Sequence, residues 1–106
     1  MFDDLRATDI FAAAHRLRDV ARRTPLRLSL ALSERANRDV YLKLECAQVT
    51  GSFKLRGAFN TVATLSQNVR AHGIVASSAG NHGLGVAWSA RHFSAPAPIF
   101  VPRTAP

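Results

Sequence analysis

The chain has 106 residues, 47% hydrophobic and 20% charged, which fits one globular domain and excludes wholesale disorder. Its one cysteine, Cys46, excludes an internal disulfide and a metal site built from several cysteines. The formal charge of +7 is one-sided: residues 1–45 hold nine basic and all seven acidic residues, whereas residues 46–106 hold five basic residues and no carboxylate side chain. Such a bias suits an anionic ligand, a nucleic acid or an acidic partner surface.

The N-terminus, Met1-Phe2-Asp3-Asp4, is acidic and unlike a secretory leader. No apolar run approaches the ~18 residues of a membrane helix. A soluble, cytoplasmic protein is expected. Thr8 and Asp9 are cap residues before Ile10, Ala13, Ala14, Leu17, Val20 and Ala21, whose spacing predicts an amphipathic helix of about four turns. Thr24-Pro25 is expected to end it. A short strand follows at Leu26–Leu28, then a short helix ending near Asn37. "DVYLKLE" alternates Val40, Leu42 and Leu44 against Tyr41, Lys43 and Glu45, the period of a strand.

After Thr50-Gly51-Ser52-Phe53-Lys54, the apolar stripe Leu55, Ala58, Phe59, Val62, Leu65 and Val69 predicts one helix running to His72-Gly73. "GIVAS" reads as a strand, "SAGNHG" as a turn, "LGVAWSARHF" as a helix and "APIFVP" as a strand closed by Pro102. Strands alternating with helices predict an α/β architecture with parallel strands and crossover helices.

Two stretches carry chemistry. In "TGSFK" a lysine stands at a helix start, where positive potential disfavours a cation. A lysine pushed towards the neutral amine can attack a carbonyl. Gly51 permits the tight turn and Ser52 can cap. The second stretch, Ser77-Ser78-Ala79-Gly80-Asn81-His82-Gly83, joins a strand end to a helix start, where parallel sheets bind ligands and free amides suit a carboxylate or phosphate. Asn81 can cap that helix or bond a ligand oxygen. Taken alone, the first stretch reads more readily as an ordinary surface lysine in the first turn of a helix, and the second reads equally as an ordinary capped turn without a ligand.

Together, T-G-S-F-K and S-S-A-G-N-H-G with a helix between them resemble the pyridoxal-phosphate enzymes of the tryptophan-synthase-β-like fold (fold type II). Within that fold the chain looks most like the threonine dehydratase (threonine ammonia-lyase) family and its serine dehydratase and serine racemase relatives. "RTPL", "LSERAN", "VYLKLE", "FKLRGAFN" and "FVPRTAP" extend the likeness from about Ala7 to Pro106. The resemblance implies that Lys54 forms the Schiff base with pyridoxal 5'-phosphate and removes the substrate α-proton. It implies that Phe53 packs beside the cofactor and that Asn81 bonds its ring hydroxyl oxygen. Ser78, Ala79, Gly80, Asn81 and His82 would clamp the substrate carboxylate.

The implied reaction is α,β-elimination from L-threonine or L-serine to a 2-oxo acid and ammonia, in a homo-oligomeric parent enzyme. Racemases of this family carry a serine where Ala79 stands, which points to a dehydratase. Cys46, Val49 and Arg103 replace asparagine, proline and glutamate common in the family; Cys46 is expected to pack as a small apolar residue. The resemblance also implies a large domain begun by residues 1–70 and a small domain begun by residues 71–106, both incomplete. The glycine-rich phosphate loop of the family has no counterpart in this sequence, so the isolated chain is expected to bind cofactor weakly if at all and to turn over no threonine. Two other readings remain: a non-catalytic remnant that pairs with another subunit, and a basic polyanion binder, which the absence of interleaved aromatics disfavours.

Overall fold

The computed structural model describes residues 4–105. Helix α1 spans Ala7–Leu17 and starts from Arg6, whose backbone N–H donates to the Asp9 carboxylate at 2.9 Å. Asp9 thus serves the helix start from inside it, rather than as the cap. The helix is about a turn shorter than its apolar spacing predicts: it ends at Leu17, and Val20 and Ala21 lie in the following turn, with their amides bonded to the Leu17 carbonyl.

Strand β1 (Leu26–Leu28), helix α2 (Leu30–Ala36) and strand β2 (Tyr41–Lys43) follow. Ser29 caps α2 by accepting from Leu32 N, and Asn37 ends it at φ 51°, a left-handed conformation that asparagine tolerates. β1 and β2 pair antiparallel, Leu26 opposite Lys43 and Leu28 opposite Tyr41. The expected parallel arrangement fails here because the short α2 reverses the chain without a full crossover.

Helix α3 spans Lys54–Thr64 and is followed by α4, Gln67–Ala71. The single helix predicted to reach His72 breaks at Leu65, whose ψ of 142° is extended, and Ser66 caps a new helix by accepting from Val69 N. A local side-chain cap outcompetes the continuing apolar stripe. Gly73, at φ 100°, then turns the chain into β3 (Ala76–Ser77). Helix α5 spans Asn81–His92 and begins three residues before Leu84, so it absorbs half of the predicted turn. β4 (Ile99–Phe100) pairs parallel with β3, Ala76 opposite Ile99 and Ser77 opposite Phe100. Here the parallel expectation holds, with α5 as the crossover.

The core lies between α3 and α5. Leu55, Ala58, Phe59 and Val62 are buried from α3, and Gly83, Gly85, Val86, Ser89 and Ala90 from α5. Phe59 meets the rings of Trp88, His92 and Phe93 at centroid distances of 6.1, 5.1 and 5.2 Å. Ala76 joins Ala58 and Val86 beneath the small sheet, with Ile74 and Ile99 packed against them.

Outside this core the molecule is open. Its accessible surface is 8195 Å², against about 5,800 Å² expected for a globular protein of this mass. Phe11, Leu30, Val75 and Phe100 all stand more than 60% exposed. Cys46, expected to pack as an apolar residue, is exposed in a single 3-10 turn, Glu45–Ala47. No helix among the described residues is long and apolar enough to cross a membrane.

Candidate active site

The turn that presents Lys54 is held from below. Gly51 takes φ 74°, which an L side chain rarely adopts. Ser52 is buried and its Oγ accepts from Lys54 N at 3.3 Å. The N-cap of α3 is Phe53, which makes no capping side-chain bond, and Lys54 is the first helical residue. Phe53 is 60% exposed and its ring centroid lies 5.4 Å from Lys54 Nζ. Among the described residues, the only ion pairs are those of Lys43 and Arg56 with Glu45, so the Lys54 amine has no carboxylate partner.

The second stretch starts where β3 ends. Ser78 Oγ accepts from Gly80 N at 3.2 Å, shaping the turn. Gly80, not Asn81, is the N-cap of α5, and Asn81 occupies the first helical position. The first intrahelical bond runs from Leu84 N to Gly80 O at 3.1 Å, so the amides of Asn81, His82 and Gly83 precede the ladder. Gly83 is required by close packing: a Cβ there would sit 2.5 Å from the Ser78 carbonyl oxygen.

An open groove of about 700 Å³ runs between α3 and β3, bounded by Phe53, Lys54, Ala76, Ser77, His82 and Val86 among others. Phe53, Lys54 and His82 line it together. Ser78, Ala79, Gly80 and Asn81 form the adjoining turn and helix start and do not line the groove.

A polar cluster that sequence spacing does not reveal joins the first turn of α3 to Glu45. Arg56 Nε and Nη2 donate to the two carboxylate oxygens of Glu45 at 2.8 and 2.7 Å. Thr24 Oγ1 also donates to Glu45. The Arg56 guanidinium, with the Thr24 hydroxyl, holds the Glu45 carboxyl at about 2 against burial that acts the other way, and the same pairing raises Arg56. Gln48 is buried; its amide accepts from Arg22 N at 2.8 Å and donates to Arg22 O at 3.0 Å. One signal in the sequence does point to this knot. Glu45 is the last carboxylate before an acid-free half, and Arg56 follows Lys54 by two residues.

The groove fits a flat aromatic aldehyde. It offers an amine without a carboxylate partner, an aromatic ring beside it, apolar walls from Ala76 and Val86, and hydroxyl and imidazole groups from Ser77 and His82.

The chain is similar to known proteins over nearly its whole length. Over 98 residues the chain is 51% identical to an L-threonine ammonia-lyase of Thermotoga maritima, covering 92% of this chain and 24% of that protein. It superposes on serine racemase from Dictyostelium discoideum with a TM-score of 0.86 at 33% identity, covering 93% of this chain and 33% of the other. For threonine deaminase isoform 2 of Solanum lycopersicum the TM-score is 0.78 at 36% identity, over 96% of this chain and 30% of the other. The chain thus spans about a quarter to a third of the length of these relatives, and its fold is the corresponding part of the tryptophan-synthase-β-like architecture. The family model described as pyridoxal-phosphate dependent enzyme matches residues 17–106, and the chain belongs to that family.

Proposed function

We propose that these residues supply the cofactor-anchoring lysine and the carboxylate-binding loop of a lyase acting on L-threonine or L-serine. The observation that carries this reading is the groove that Lys54, Ser77 and His82 line in common, beside the α5 start. Pyridoxal phosphate, when bound, supplies the electron sink that acidifies the substrate Cα–H. Lys54 Nζ would hold the cofactor, and the same amine would take the Cα proton. Phe53 walls the groove beside it. Asn81 is the proposed donor to the cofactor's ring hydroxyl oxygen. The segment Ser78, Ala79, Gly80, Asn81 and His82 holds the substrate carboxylate through its helix-start amides, which are still free to donate. Loss of the β-hydroxyl as water, followed by hydrolysis, gives a 2-oxo acid and ammonia.

Ala79 bears no group that exchanges a proton, which favours elimination over racemisation even though a serine racemase is among the similar structures. The test is a chimaera in which this chain replaces the aligned 98 residues of the Thermotoga maritima enzyme. The chimaera is expected to release 2-oxo acid from L-threonine, and Lys54→Ala to abolish that release. A soluble, cofactor-loaded chimaera whose activity survives Lys54→Ala would refute the role of Lys54.

A further inference from the structure

We infer that the Glu45–Arg56 pair is a positioning device for Lys54, fixing the first turn of α3 so that the amine stays turned into the groove with Ser77 and His82. This rests on Lys54 being the anchoring residue proposed above. Arg56 makes a two-toothed contact with Glu45, through Nε at 2.8 Å and Nη2 at 2.7 Å, and Nη2 also reaches the Arg22 carbonyl at 3.2 Å. A planar fork on a carboxylate fixes orientation as well as distance. Residues two apart on a helix project roughly 200° apart. Both residues nevertheless line the groove, and holding Arg56 fixes the backbone turn from which the Lys54 stem projects.

Glu45 is in turn held in place. Thr24 Oγ1 donates to it, and Thr24 O accepts from Lys43 Nζ at 3.1 Å. Arg22, whose carbonyl accepts one bond from Arg56 Nη2, is gripped at both its N–H and its carbonyl by Gln48, 3% exposed. The knot joins the α1–β1 connection, the end of β2, the turn before Lys54 and the first turn of α3. Gly85 of α5 also lies against the Lys54 carbonyl. The first turn of α3 is thus held by both contacts, although its own N-cap contributes no side-chain bond. Glu45 is the only carboxylate in an ion pair among the described residues, and it is spent on the residue two places from the lysine.

The test uses the fact that the protein has two lysines, Lys43 and Lys54. Pyridoxal phosphate is added, trapped with borohydride and located by peptide mass spectrometry, and amide hydrogen exchange is followed in parallel. Glu45→Gln and Arg56→Gln are each expected to slow capture at Lys54 at least fivefold and to speed exchange at Ala58 and Phe59 at least tenfold. Arg56→Lys keeps the charge and loses the fork, and is expected to slow capture similarly. Retained protection of Val86 and Ala90 shows that the variants remain folded, and Arg56→Lys decides the matter if the other two unfold. Capture at Lys54 unchanged in folded variants, or Arg56→Lys indistinguishable from the unaltered protein, overturns the inference. In the unaltered protein, capture at Lys43 but not at Lys54 contradicts the cofactor reading itself, and the positioning role falls with it.

Discussion

Gly85 of α5 lies directly against the backbone of Lys54: a Cβ at position 85 would stand 3.2 Å from the Lys54 carbonyl oxygen and 3.2 Å from the Ala58 Cβ. The helix that begins at the Asn81 loop is therefore seated on the first turn of the helix that begins at the lysine. In an open helix, glycine to alanine stabilises by about 1 kcal/mol. Here the added methyl stands closer than ordinary contact to the Lys54 backbone and Ala58, which must give by a few tenths of an ångström. Gly85→Ala is expected to destabilise by about 1–2 kcal/mol in urea unfolding. A stabilised variant would show that the contact is slack.

The Glu45 carboxyl gives a pH prediction. Its folded value, about 2, lies below the usual 4.5 because Arg56 and Thr24 bond the charged form. A depressed carboxyl contributes stability that is fully present above the unfolded value and is lost as pH falls through the folded one. The stabilisation, about 1 kcal/mol once solvent screening of a partly exposed pair is counted, should therefore persist at neutral pH and fade from about pH 4.5 to below pH 2. Glu45→Gln is expected to lose it at pH 7, with the gap to the unaltered protein narrowing across that window. Parallel denaturation curves at several pH values read this directly; a gap independent of pH contradicts it.

Phe59 is the aromatic centre of the core, 3% exposed and touching the Trp88, His92 and Phe93 rings. Phe59→Ala is expected to cost about 3–5 kcal/mol. Trp88 is the only tryptophan, so its emission should shift as its ring loses that neighbour. An unchanged unfolding midpoint would place the core elsewhere.

Lys54 is exposed and has no carboxylate partner among the described residues. Lys54→Ala should alter stability by less than about 0.5 kcal/mol while removing covalent capture of pyridoxal phosphate. A large loss of stability, seen by thermal unfolding, would mean that the lysine serves the fold rather than a ligand.

The helices around the site were legible because their apolar spacing and start signals agree. The Leu55, Ala58, Phe59 and Val62 stripe is buried as its period predicts. Val69 of the same stripe is 48% exposed, because Ser66 caps a new helix that turns it outward. A local cap of this kind is hard to weigh against periodicity in one sequence. The parallel β3–β4 pair follows from strand–helix–strand order, whereas β1–β2 turned antiparallel over a helix too short for a crossover. Lys54 and His82 share a groove, whereas Asn81 is a first-turn residue and not the cap. The Glu45–Arg56 fork could not be read from spacing, since 11 residues and a turn separate its partners.

The central claim is that Lys54 is the covalent anchor for pyridoxal phosphate in a groove shared with His82. It is tested most directly by borohydride trapping of the cofactor on the unaltered protein, followed by peptide mapping. The account predicts a label on the peptide containing Lys54, with Lys43, bonded to the Thr24 carbonyl, labelled far less. Equal labelling of the two lysines, or a label confined to Lys43, would contradict it.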